Sequence, residues 1–235
     1  MYGYGYYPMF DPTYILVLIG LVITFAASAK VKSTYARYNR VRAVSGLTAA
    51  EAASSILRGA GIMDVQIQPI AGDLTDNYDP RSKVLHLSQS TYQSTSVAAI
   101  GVAAHECGHA IQDHQDYVPL RVRGAIVPVV NFAGMASWPL ILLGVVLSMN
   151  HTLITLGIIL FSATVLFQLI TLPVEFDASG RALRILRDQQ MLYPDELKGA
   201  RSVLTAAALT YVAAAAASLL QLLRLVLLFG GRRDN

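Results

Sequence analysis

The chain has 235 residues, 54% of them hydrophobic and only 14% charged, with a formal net charge of +3. Soluble domains carry about 25% charged residues, so the composition excludes one large soluble domain and indicates a membrane protein with a modest polar part. The charge is small and unevenly placed, a placement that argues for membrane orientation rather than nucleic-acid binding, and the lone Cys107 excludes both an intrachain disulfide and a cysteine-based zinc site.

Residues 1–12, MYGYGYYPMFDP, form a Tyr/Gly-rich tail suited to a membrane boundary. Residues 13–30 read as a first transmembrane helix, short but free of charge up to Lys30. No Lys or Arg precedes it, so it is not a signal peptide.

Residues 31–123 are the only stretch large enough to fold outside lipid. Thr48 and Glu51 form a capping box, and the helix they start runs through Arg58 to a stop at Gly59-Ala60-Gly61. Val65, Ile67 and Ile70 alternate with Gln66 and Gln68, which predicts a half-buried strand. Asp76 to Pro80 reads as a turn and Lys83 to Ser88 as a second strand. Ser94, Thr95 and Ser96 then offer N-caps for a helix over Val97–Gln112.

Residues 124–149, interrupted by Pro128 and Trp138-Pro139, and residues 152–174 read as a transmembrane hairpin. Residues 175–201 form a polar helical segment, 202–229 a fourth span and 230–235 a tail. The expected fold is mainly α: four transmembrane helices with a small α+β cytoplasmic domain. Lys and Arg cluster after the first span, before the second, and between the third and fourth. The positive-inside rule makes those loops cytoplasmic and puts both termini outside. Arg232 and Arg233 dissent, weakened by Asp234; three spans would not satisfy the pattern.

The chemistry resides in VAAHECGHAIQ, Val102–Gln112. His105 and His109, four apart on a helix, project from one face and can share one zinc ion at about 2.0–2.1 Å. Glu106 lies about 100° round from His105, beside the metal, placed to take a proton from an attacking water and return it to a leaving amine. Gly108 lets another backbone or a substrate come close. A catalytic zinc needs a third protein ligand and an open position. Glu51 belongs to a cap and Glu196 to a helix start, which leaves Glu175, at the cytoplasmic end of the third span and on the same membrane face as HECGH. A plain helix-start carboxylate is the competing reading of Glu175, and Asp177 is the alternative ligand. Asp177 and Ser179 are also candidates to orient a histidine from behind.

HECGH, with LTDNYDPRSKVLHLS (Leu74–Ser88) before it and LPVEFDASGRAL (Leu172–Leu183) after it, resembles the YugP-type neutral membrane zinc metallopeptidases of bacteria. The resemblance implies a gluzincin with one zinc ion on His105, His109 and Glu175, Glu106 as general base, and a zincin-like polar domain. It also implies distant kinship with the HtpX-like membrane proteases, which carry an aspartate where Ser179 stands. By the same analogy, Val84, Leu85, His86 and Leu87 would form an edge strand that holds a substrate backbone.

The expected function is hydrolysis of membrane or membrane-proximal polypeptides at a cytoplasm-facing site in the bacterial cytoplasmic membrane. The partners are a polypeptide substrate, the lipid bilayer and a membrane-protein partner or further copies of the chain. Two other readings compete: a site-2-type intramembrane protease, and a non-catalytic adaptor with a metal site. The shortness of Val97–Ala104 argues against the first, and Glu106 beside an open coordination position against the second.

Overall fold

The structure is a computed structural model that describes residues 11–230. Residues 1–10 of the Tyr/Gly-rich tail, and the terminal Arg232 and Arg233, lie outside the described residues. The fold is mainly helical with one small sheet. Its elements in order are α1 (Tyr14–Tyr38), α2 (Ala49–Gly59), β1 (Gln66–Ile70), β2 (Asn77–Asp79), β3 (Val84–Ser88), α3 (Gln89–Tyr92), α4 (Val97–His114), α5 (Val118–Val146), α6 (His151–Asp188) and α7 (Pro194–Phe229).

Among the described residues four helices, α1, α5, α6 and α7, are long and apolar enough to cross a membrane. Their apolar side chains point mostly outward: Phe25 is 77% exposed, Phe132 70% and Val146 78%. Continuous apolar surface on this scale is untenable in water, and together with the helix lengths it marks a membrane protein. Pro128 and Pro139 sit inside an unbroken α5, and Pro173 inside α6, so the prolines do not interrupt the spans. Membrane helices tolerate proline because neighbouring groups satisfy the freed carbonyls.

The chain divides into two compact units, and each long helix contributes residues to both. One unit is Met1–Ala26, Ile126–Leu169 and Val212–Asn235. Small residues set its packing: a Cβ on Gly157 would lie 2.8 Å from the Ser137 carbonyl, and one on Gly20 3.3 Å from Ala217. Membrane helices associate through such close backbone approach.

The other unit is Ala27–Ala125 and Ile170–Tyr211. Thr48 caps α2 in a complete capping box with Glu51, and the Ser96 hydroxyl accepts the Ala99 N–H to start α4. Ile56 of α2, Leu85 and Leu87 of β3, and Ile100 of α4 are all fully buried in one core. Burial of each such side chain stabilises by about 1.5–3 kcal/mol. Cys107 lies in the same core, and burial pushes its thiol pKa far up.

Two expectations for this unit need correction. Asn77–Asp79 is a short strand, not part of a turn; the turn begins one residue later, where the Asp79 carboxylate accepts the Arg81 N–H and the Ser82 hydroxyl. Tertiary partners of Tyr78 draw these residues into extended form. The second concerns the candidate substrate strand, Val84, Leu85, His86 and Leu87. The sheet order is β1-β3-β2, so these residues form the central strand, with β1 parallel on one side and β2 antiparallel on the other. Beyond β2 the Asp76 carboxylate takes the Ser88 N–H. No edge of β3 is left for a substrate, and Leu85 and Leu87 point into the core.

Candidate metal centre

The fourth residue interval of α4 places His105 and His109 one turn apart, with ring centroids 4.7 Å apart and planes at 82°. α6 supplies the third group. It continues past Val174 to Asp188, so Glu175 is a mid-helix residue; the reading as a helix-start carboxylate does not hold. Glu175 Oε2 lies 3.3 Å from His105 Nε2 and 3.6 Å from His109 Nε2. The side chain of Glu175 is almost fully buried, and among the described residues Oε2 has no hydrogen-bond partner.

The backing groups determine which atoms face one another. Gln112 Nε2 donates to the Val174 carbonyl and to Asp177 Oδ2, both at 2.9 Å. Those partners only accept, so the amide orientation is fixed and Gln112 Oε1 faces His109 Nδ1 at 3.0 Å. In its neutral form His109 therefore carries its proton on Nδ1 and presents a lone pair on Nε2. The Ser179 hydroxyl, 3.1 Å from His105 Nδ1, can accept in the same way. Asp177 does not reach the cluster; it holds Gln112 and pairs with Arg181. Glu175 Oε1 accepts from Arg123 Nη1 at 3.0 Å, which leaves Oε2 to face the two imidazoles.

His105 Nε2, His109 Nε2 and Glu175 Oε2 thus converge, in a group whose ligand atoms lie within 4.8 Å of one another and that could hold a metal ion. A tetrahedral ion with bonds of about 2.0–2.1 Å spaces its ligands about 3.3–3.4 Å apart. The two Glu175 separations lie close to that value, and the N₂O donor set suits zinc. The field has the right sign as well. Burial works against a charged His109, but its contact with Glu175 and the charge of Glu106 outweigh it and hold the pKa above the ordinary imidazole value. The same carboxylates favour any cation at Nε2.

Glu106 is buried beside the cluster, and its Oε2 accepts the Tyr78 backbone N–H at 3.0 Å. The Tyr78 hydroxyl donates to Asp113 at 2.8 Å, as does Lys83 at 2.6 Å, so β2 is clipped to α4 at two points. Burial and the Asp113 carboxylate push the Tyr78 phenol pKa up and keep it a donor. His86 lies on β3 away from the cavity that the cluster lines. Gln112 and Arg123 were not singled out by sequence reasoning. Gln112 is three residues past His109 on the same helix face, a signal that was available. Arg123 carried none beyond its charge.

The family described as "Putative neutral zinc metallopeptidase" matches residues 13–230. "Putative membrane protease YugP" of Bacillus subtilis (strain 168) is 50% identical over 220 residues, 94% of this chain and 97% of that protein. No solved structure matches. The match runs from the first apolar helix through the HECGH helix to the last, and the chain belongs to this zinc metallopeptidase family.

Proposed function

We propose that the protein is a membrane-embedded zinc metalloendopeptidase that hydrolyses peptide bonds of membrane or membrane-proximal polypeptides at a cytoplasm-facing site. The observation that carries the reading is the convergence of His105 Nε2, His109 Nε2 and the unpartnered Glu175 Oε2 beside the Glu106 carboxylate. His105, His109 and Glu175 would hold one zinc ion, which would supply Lewis acidity when bound.

The rest falls to the chain's own residues. Glu106 takes the proton from the attacking water as the C–O bond forms, and returns it to the amine nitrogen as the C–N bond breaks. The Tyr78 N–H fixes the Glu106 carboxylate in reach of the cluster. Ser179 orients His105, Gln112 orients His109 with Asp177 behind it, and Arg123 sets the Glu175 carboxylate. A zincin-like role for α4 and the small sheet accords with this division of labour.

Loop charge favours the cytoplasmic side of a bacterial membrane for the site, with both termini outside. α4 packs in one core with α2, the sheet, Ala182 and Leu186 of α6, and Ala200 and Leu204 of α7, which supports a site at the membrane surface over the site-2 type. A further membrane protein or a second copy as partner belongs to the same proposal.

The test uses purified full-length protein in detergent. Glu106→Gln is expected to keep one zinc per chain and lose cleavage of an unfolded protein by at least about a hundredfold. His109→Ala is expected to lose both. Unchanged zinc content and unchanged proteolysis in both variants would sink the reading.

A further inference from the structure

A cavity of about 250 Å³ opens directly on the metal cluster, with His105, Glu106, Glu175 and Ser179 forming one wall. Its other walls come from α1, the loop before β2, α4 and α7, and they are largely aliphatic: Val31, Leu74, Val102, Leu204, Ala207 and Ala208. We infer that this cavity is the subsite for one apolar side chain next to the scissile bond, and so gives the enzyme a preference for aliphatic or aromatic residues at that position. The inference rests on the peptidase reading and adds its substrate class.

Three observations support it. The first is size. Pockets for whole small-molecule ligands span about 300–1,000 Å³, so this cavity suits one side chain and not a cofactor. The second is continuity. A peptide carbonyl seated at the cluster carries its neighbouring side chain within one residue's length, and the adjoining space is this cavity.

The third is charge. Each carboxylate on the wall accepts at least one hydrogen bond from the protein. Asp76 accepts from the Ser88 N–H at 2.8 Å and from the Ser88 hydroxyl at 3.0 Å, Glu106 from Tyr78, and Glu175 from Arg123. Among the described lining residues, His105 is the only basic one. A charged substrate side chain would be desolvated here: an acidic one would face Asp76, Glu106 and Glu175, and a cationic one would leave water for walls that are largely aliphatic, whereas an apolar one gains by burial. Room for it comes from the small residues Ala207 and Ala208 of α7.

The experiment uses the zinc-loaded full-length protein in detergent micelles with unfolded casein, and maps the cut bonds by mass spectrometry. Peptides that differ only beside the preferred bond (Leu, Ala, Lys or Asp) then give relative kcat/KM. Leu is expected to exceed Lys and Asp by at least about tenfold, since even one methylene is discriminated by roughly 10–200-fold. Ala207→Leu fills the cavity; it is expected to retain one zinc per chain while the Leu-over-Ala ratio falls about tenfold or more. Cuts with no apolar preference on either side of the bond, or an unchanged ratio in Ala207→Leu, would overturn the subsite. Binding of the Leu and Lys peptides to zinc-loaded Glu106→Gln, read by fluorescence anisotropy, checks the preference without turnover; equal affinities would count against it. A zinc-loaded wild type that cuts no bond at all would instead overturn the peptidase reading and the subsite with it.

Discussion

Gly108 of α4 lies so close to Ala178 of α6 that a methyl group built on it would stand 2.6 Å from the Ala178 carbonyl oxygen. That contact sets the approach of the two helices at the level where Glu175 and Ser179 meet His105. The obstacle is backbone, so it cannot rotate away.

Gly108→Ala is therefore expected to push α6 outward, lower zinc affinity by about tenfold or more, and cost about 1–3 kcal/mol of stability. Gly180 of α6, two residues beyond Ala178, meets nothing within 4 Å. Gly180→Ala is expected to be neutral or to stabilise by up to about 1 kcal/mol. Chelator competition and thermal unfolding of both variants check the contrast; equal effects would refute the close-approach argument.

Gln112 sets the proton position of His109 by bonding Val174, Asp177 and His109 at once. Gln112→Leu keeps the volume but leaves those groups unpaired in the interior. Zinc affinity is expected to fall by about 10–100-fold, as for other groups that support a ligating histidine. Competition with a zinc-responsive dye measures it, and an unchanged affinity would show that His109 needs no backing.

Arg123 is the cation bonded to the buried Glu175 carboxylate. In Arg123→Leu the Glu175 charge loses its guanidinium partner and leans on the imidazoles and a bound metal. The metal-free variant is expected to lose more thermal stability than the zinc-loaded one, because removal of one partner strands a buried charge. Melting curves of both forms with and without chelator test this; equal losses would mean that Arg123 acts by packing alone.

Cys107 is fully buried, and its thiol is held protonated by burial. A thiol reagent is expected to leave the native protein unlabelled and to modify it once denaturant opens the core. Rapid labelling of folded protein would contradict the packing of α4 against α2.

Features that depend on near neighbours were legible in the chain. The Thr48–Glu51 capping box, the Ser96 cap and the four apolar helices follow from local hydrogen bonding and length, and each is present. Strand β2 was not legible. Three residues carry little periodicity, and Tyr78 is held extended by Asp113 and Glu106, which lie 35 and 28 positions away. The order of strands escaped for a similar reason. The pattern of Val84–Ser88 says that it is a strand, but not that β1 and β2 flank it on both sides.

By itself the sequence determined that two imidazoles and a carboxylate share one turn of helix, because an interval of four residues leaves the α-helix no other choice. It also determined that the chain belongs in a membrane, since four apolar stretches cannot all be buried in 235 residues. The tertiary structure decided the rest of the centre. It ran α6 unbroken through Pro173, brought Glu175 against Nε2 of both histidines, and set Gln112, Ser179 and Arg123 behind them. The physical reason is the contact at Gly108: helix approach is settled by which backbones can touch, and that depends on residues 70 positions apart, Gly108 and Ala178.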